Sequence, residues 1–476
     1  MKRVLCVLFL VLAANLSLNS AEKPNIVFLL ADDMNRDTWG VYGSKDCKTP
    51  NIDQLAKEGM TFQSAYCSVA MCAPFRQELY SGRSPWRTGT LANHSKSHAD
   101  TKSLPHYLKP LGYRVALTGK THFGPSQAYP FEMLKGGKDN KGFVATASKF
   151  FDECKKDSKP FCLFITSSDG HAPFTTGDPS QYDASKLTVP PYWLDTQVLR
   201  ENLVKYYAEI TNFDNLVGEV RKSLKDKGLW DNTIFVACSE QGVQFPFAKW
   251  TCYKNGLNTG IVMSWPGVIK PGSVLDELIS TADMTPTFVD AAGGVLKEGD
   301  VDGKSFLKIL KGESQVINEF VYGAFTNCNI IDNKDRIYPI RVIRDKDFSL
   351  IYNPNHKSLT SNVTLSGVMQ KLHGAEKSTR KEGGPATSWL ELKGKSEKAD
   401  ALIHKLNNRP EFELYHLKSD PYEMKNEIDN PEYKVVVEKM KKALMAKLND
   451  LGDTDPIATE KKLVKAPKAK KKKKQK

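Results

Sequence analysis

The chain is predicted to fold as an α/β protein: a large, mainly parallel sheet sandwiched by helices, with a smaller C-terminal α+β domain made of an antiparallel sheet plus helix. Three observations predict it. Four apolar runs of strand length each stop abruptly at a cluster of polar, reactive residues. Stretches of helical periodicity lie between those runs, an alternation that builds parallel sheets. Beyond about residue 310 the pattern changes to short β-like runs closed by one amphipathic helix. At 476 residues the chain also exceeds the size at which one core stops growing, so a catalytic-sized unit over 22–310 and a smaller one over 311–455 are expected.

The first run, Asn25–Ala31, reads as a fully buried strand and ends at Asp32-Asp33. Thr49–Gly59 follows with a capping residue, an early Pro, helix formers and a terminal Gly, the marks of a short helix. The second run, Tyr113–Thr118, ends at Gly119-Lys120-Thr121-His122; the third, Phe161–Thr166, leads to Asp169-Gly170-His171-Ala172-Pro173. Glu201–Leu229 places Leu203, Tyr206, Tyr207, Ile210, Phe213, Leu216, Val217 and Val220 at helical spacing. The fourth run, Thr233–Cys238, ends at Ser239-Glu240-Gln241-Gly242. Ligands of open α/β sheets bind outside the carboxyl ends of the strands, where all four clusters fall. Taken singly, each has a structural explanation: an Asp pair is a turn, a lone His a core residue, Lys249 a solvated cation. Four clusters at four strand ends make a candidate site.

In the C-terminal part, Phe320–Phe325, Tyr338–Ile343 and Phe348–Tyr352 read as short strands, and Glu432–Leu448 as an amphipathic helix. Residues 370–400 are polar and Lys/Gly-rich, and are expected to form a loop. The formal charge of +13 misleads. Ten lysines and no acid lie in 461–476, and taking those ten away leaves +3 on the rest. The folded body therefore has no basic face for nucleic acid, and residues 456–476 are expected to be a disordered Lys-rich tail. If the tail acts, its partner is an anionic glycan or cell surface. At the other end, Lys2 and Arg3 precede an apolar run, Val4–Ala14, and a polar stretch to Ala21, the form of a secretory signal peptide over 1–21. The run is too short to span a membrane comfortably, and no second one of spanning length follows, so a secreted or periplasmic protein without a transmembrane segment is expected. Setting Cys6 and Cys72 aside, seven cysteines at irregular spacing allow one or two disulfides without fixing a pairing.

Residues 72–76 read Cys72-Ala73-Pro74-Phe75-Arg76, and eleven residues after the cysteine comes Arg83, in Ser81-Gly82-Arg83-Ser84-Pro85. This Cys-x-Pro-x-Arg core with its Gly-Arg turn resembles the signature of the type I sulfatases of the alkaline phosphatase superfamily. The resemblance runs from Lys23 to about Leu448. Pro24–Asp33 resembles the family's first strand, Thr49–Asp53 with Gly59–Phe62 the helix before the nucleophile, Gly119–Gly124 its Gly-Lys-x-His-x-Gly element and His171-Ala172-Pro173 its His-x-Pro. Glu413–Leu417, Asp420–Glu423 and Asn426 resemble its closing pattern. Two departures stand out: Glu240-Gln241 where the family has Asp followed by Asn or His, and Asn258 where many relatives have Arg. Gly119–Pro125 with Tyr129–Phe131, and Gln241–Pro246 followed by Lys249, are similar to N-sulfoglucosamine sulfohydrolases in particular.

The resemblance implies that a maturation enzyme oxidises Cys72 to formylglycine (3-oxoalanine), whose hydrated aldehyde attacks sulfur. It implies one Ca²⁺ held by Asp32, Asp33, residue 72, Glu240 and Gln241; the longer Glu and Gln keep the oxygen donors that a hard cation takes. Arg76 and Lys120 are expected to hold the diol and its charge, Lys249 to grip sulfate oxygens, His122 to act as base, and His171 to protonate the leaving group. The two histidine roles are interchangeable at this level. The implied substrate is a sulfated carbohydrate, as sulfate ester or N-sulfamate. Two alternatives stay open: a phosphodiester or phosphonate monoester hydrolase of the same superfamily, and a non-catalytic polyanion-binding relative.

Overall fold

The computed structural model of the chain describes residues 23–328, 337–360 and 385–465. The expected signal peptide, residues 466–476 of the tail and the first half of the loop expected at 370–400 lie outside the described residues. Strands β1 (Asn25–Leu30), β2 (Met60–Phe62), β4 (Arg114–Gly119), β5 (Glu132–Met133), β6 (Phe161–Thr166), β7 (Thr233–Cys238), β8 (Ile261–Ser264) and β9 (Ser273–Leu275) form one sheet in the order β5-β4-β6-β1-β7-β8-β2-β9. Its neighbours run parallel except around β8, which is antiparallel to both β7 and β2. Every residue of β1, β6 and β7 is buried, because helices cover both faces of the sheet. Short β3 (Ala65–Tyr66) and β10 (Ile279–Ser280) pair separately.

Register decides where the site forms. Leu30 lies opposite Thr166 and Cys238, and Gly119 opposite Thr166. The four strands expected from the apolar runs therefore end level, and their polar clusters emerge side by side. Helix α1 (Pro50–Glu58) stops at Gly59, where a Cβ would stand 2.2 Å from the Met263 carbonyl oxygen, so only glycine fits against β8. Helix α2 (Cys72–Ser81) has all ten residues buried and ends at Gly82 in the left-handed region (φ 66°). The long helix Gln197–Asp226 starts four residues before the expected one, capped by Thr196, whose side chain accepts from the Leu199 N–H.

In the C-terminal part, β11 (Val321–Phe325), β12 (Ile340–Arg344), β13 (Phe348–Tyr352) and β14 (Phe412–His416) form an antiparallel sheet in that order. Helix Lys434–Asp450 lays Val437, Met440, Leu444 and Leu448 on Ile343, Leu350 and Leu414. Two expectations are corrected here. Within the expected loop, Pro385–Leu392 is a helix with Trp389 buried and the Ser388 hydroxyl 2.9 Å from that of Thr196; a second helix, Glu397–Asn407, buries Ala399, Leu402, Ile403 and Leu406. Apolar residues at helical spacing outweigh the polar composition there. The expected disordered tail begins instead as a helix, Pro456–Lys465. Asp455 caps it at 3.0 Å from the Ala458 N–H, and Glu460 is buried against the backbone N–H of Asn327 at 2.5 Å, so this turn of chain is docked rather than repelled. The eight described cysteines are all buried free thiols.

Candidate active site and metal centre

Cys72 is the first residue of α2, 2% exposed, at a helix N-terminus aimed at the carboxyl ends of the strands. Its sulfur lies 3.2 Å from Asp32 Oδ1 and 3.3 Å from Asp33 Oδ1. Gln241 Nε2 approaches it at 3.3 Å and Lys249 Nζ at 3.5 Å. Arg76, one helical turn on and so on the same face, sets its Nε 2.7 Å from Glu240 Oε1 and its Nη2 3.8 Å from Asp32 Oδ1, and donates to the Lys120 carbonyl at 3.0 Å. Lys120 pairs with Asp32, and Lys249 with Asp33 at 2.5 Å. Asp33 also accepts from Gln241 Nε2 at 2.6 Å, and its N–H donates to Glu240 Oε2 at 3.2 Å. Asp33 and Glu240 hold left-handed backbone (φ 52° and 61°), as do Phe247 and Trp250 beside Lys249 (both 64°). Such conformations cost about 1–3 kcal/mol each in non-glycine residues, a cost that recurs where side chains must be aimed.

His171, more than a third exposed at the mouth, places Nε2 3.6 Å from Asp33 Oδ2 and donates from Nδ1 to the Ala172 carbonyl at 2.7 Å. The loop carrying it is tied down from the long helix: Glu209 accepts from the N–H groups of Gly170 (2.8 Å) and Thr175 (2.6 Å), and Asn212 donates to Asp169. His122 is brought beside Lys120 but bonds to none of these groups. Its Nε2 lies 2.7 Å from Nδ1 of His94, a residue with no signal in the sequence because it sits in a loop without periodicity. Asn258 is structural, its amide donating to the Ala65 carbonyl at 2.8 Å.

Electrostatics sort these groups. Burial would raise Asp32, but Lys120 and Arg76 outweigh it and hold its carboxyl well below the usual range. Burial pushes Glu240 up to about 8, with Arg76 opposing and the Asp32 charge adding. Burial also works against the charged form of Lys249, yet Asp33 and its neighbours raise it, so it is a fixed cation. Burial, then Asp32 and Asp33, push the Cys72 thiol well up. The thiol is thus no ready nucleophile as it stands. Burial and Lys120 lower His122 to about 3.

Asp32, Asp33, Cys72 and Glu240 offer ligand atoms within 4.8 Å of one another. Gln241 Oε1 is buried with no hydrogen-bond partner, an orphaned acceptor beside three carboxylates. Hard oxygen donors and an unsatisfied carbonyl fit a divalent cation.

A family model described as Sulfatase matches residues 24–295, and one described as N-sulphoglucosamine sulphohydrolase, C-terminal, matches 242–362. The chain is 36% identical over 440 residues to an ulvan-active sulfatase of Formosa agariphila, covering 91% of this chain and 81% of that protein. It is 27% identical over 489 residues to N-sulphoglucosamine sulphohydrolase of Homo sapiens, covering 92% of each. Its fold is similar to that of BT4656, solved in complex with its substrate D-glucosamine-2-N,6-O-disulfate (TM-score 0.67, 19% identity, 91% of this chain and 99% of that one). It is equally similar in fold to the phosphonate monoester hydrolase of Agrobacterium radiobacter (TM-score 0.67, 17% identity, 90% and 96%). The chain belongs to the sulfatase family.

Proposed function

We propose that this sulfuric ester hydrolase removes sulfate from sulfated carbohydrates, as O-sulfate or N-sulfamate, with formylglycine at position 72 and one Ca²⁺. The observation that carries the proposal is the setting of Cys72: its sulfur touches two carboxylates, an amide and an ammonium group, in a pocket that disfavours a plain thiolate. Formylglycine, once hydrated, supplies two hydroxyls on one carbon. The cation, held by Asp32, Asp33, Glu240, Gln241 and residue 72, supplies Lewis-acid charge.

The remaining work belongs to side chains. Arg76 and Lys120 oppose negative charge developing beside position 72. Lys249, fixed by Asp33 and 3.5 Å from the sulfur, is placed to hold sulfate oxygens. His171 stands at the exposed mouth, where a sugar leaving group departs, and with His122 divides the proton transfers. The carbohydrate substrate is supported by the ulvan-active and N-sulphoglucosamine relatives. Among the described residues no helix is long and apolar enough to cross a membrane, and a secreted or periplasmic location is proposed from the leader. The test is sulfate release from N-sulfated and O-sulfated glucosamine beside an aryl phosphodiester, with the matured protein. Turnover of the phosphodiester in preference to every sulfate would replace this reading with the phosphonate or phosphodiester one.

A further inference from the structure

Three side chains in a row determine which proton His122 carries. The Asn93 Oδ1 accepts from the His94 backbone N–H at 3.1 Å, which fixes the amide's orientation. That leaves Asn93 Nδ2, a donor only, 3.2 Å from His94 Nε2. A ring nitrogen facing a donor must offer its lone pair, so neutral His94 carries its proton on Nδ1. His94 Nδ1 then donates across 2.7 Å to His122 Nε2. His122 is left with its own proton on Nδ1, and that atom is buried with no hydrogen-bond partner among the described residues.

We infer that Asn93 and His94 lock His122 in its Nδ1–H form, so that His122 serves the site as a hydrogen-bond donor to an anionic oxygen and not as its base. This deepens, and rests on, the sulfatase reading. A buried N–H without an acceptor costs about 1–3 kcal/mol, so the empty site keeps a donor waiting. The charges nearest it, Lys120 and Arg76, favour an anion as the missing acceptor: an oxygen of sulfate or of residue 72. Both rings are neutral. Burial lowers His94, with Lys249 and Lys120 adding, and burial and Lys120 lower His122. Both also sit on left-handed backbone, φ 57° at His94 and 50° at His122. Two adjacent non-glycine strains that end in one ring-to-ring bond are a mark of positioning. The ring that keeps a free lone pair is His171, whose Nδ1 is spent on the Ala172 carbonyl. His94 is a positioning residue in this scheme, acting through His122.

The test is ¹⁵N-histidine NMR of the full chain carrying Cys72→Ala, so that no turnover is needed. His122 is expected to show a proton on Nδ1 and a bare Nε2. His94→Asn, whose amide can still donate, keeps that pattern; His94→Asp, whose carboxylate only accepts, moves the proton to Nε2. Adding inorganic sulfate shifts the Nδ1–H signal if sulfate is the acceptor; a shift seen only on maturation of residue 72 assigns the acceptor there. In the matured protein, His94→Asp is expected to lower kcat by about 100-fold and His94→Asn by less than about fivefold, each with little change in KM. A proton on Nε2 of His122 in the otherwise native chain, or full activity in His94→Asp, would overturn the inference. Failure to hydrolyse any sulfate would instead remove the functional reading and leave the NMR result standing.

Discussion

Lys249 and Asp33 form a fully buried charge pair directly against the Cys72 sulfur, and each depends on the other. Lys249→Met leaves the Asp33 carboxylate without its cation, an arrangement that costs about 3–5 kcal/mol when a buried pair is broken from one side. The melting temperature should fall accordingly, and added Ca²⁺ should recover part of the loss by replacing the missing positive charge. Chelation of the wild-type protein should likewise lower its melting temperature, and Ca²⁺ should restore it, by about 2.7 kcal/mol at a hundredfold excess over Kd. No response to chelator or Ca²⁺ would remove the cation from the account. Cys72 and Arg76 were legible in sequence because their spacing puts them on one helical face. Asp32, Asp33, Glu240 and Gln241 were legible because strands end there. His94 was not, since its importance lies in one contact with a residue 28 positions away.

At the scale of elements, the turn after α2 does more than close a motif. Trp86 Nε1 donates to Asp453 at 2.8 Å, and Arg341 of β12 meets the same carboxylate at 2.6 Å with both ion-pair partners buried. One carboxylate thus ties the nucleophile's helix-turn to the C-terminal sheet. Asp453→Ala should destabilise by about 3–5 kcal/mol, because Arg341 is left buried and unpaired. A change under about 1 kcal/mol by chemical denaturation would show that the tie is not needed. The helices at 385–392, 397–407 and 456–465 were read as loop or tail because lysine and glycine dominate their composition. Their apolar spacing, as in Ala399, Leu402, Ile403 and Leu406, was the better guide.

Over the whole molecule, several carboxyls are buried away from cations. Burial raises Glu78 and Glu460 to about 7 and Asp214 and Asp283 to about 6. Their folded values exceed the unfolded ones, so between about pH 4 and 7 the folded chain binds more protons and stability falls as pH rises. Glu78 on α2 is held only by Ser68 and Thr281, so Glu78→Gln should gain on wild type as pH rises from 5 to 8, by about 3 kcal/mol at most. A difference independent of pH would contradict this. The sheet order and level strand ends follow from the apolar runs, whereas the short strands β2, β8 and β9 carry too few residues for a period to be read. The central claim, sulfate ester hydrolysis through residue 72, is tested most directly by sulfate release from sulfated glucosamine, comparing matured protein with Cys72→Ala. The account predicts release by the matured chain and a fall of at least about 1,000-fold in the variant. Equal sulfate release by both would contradict it.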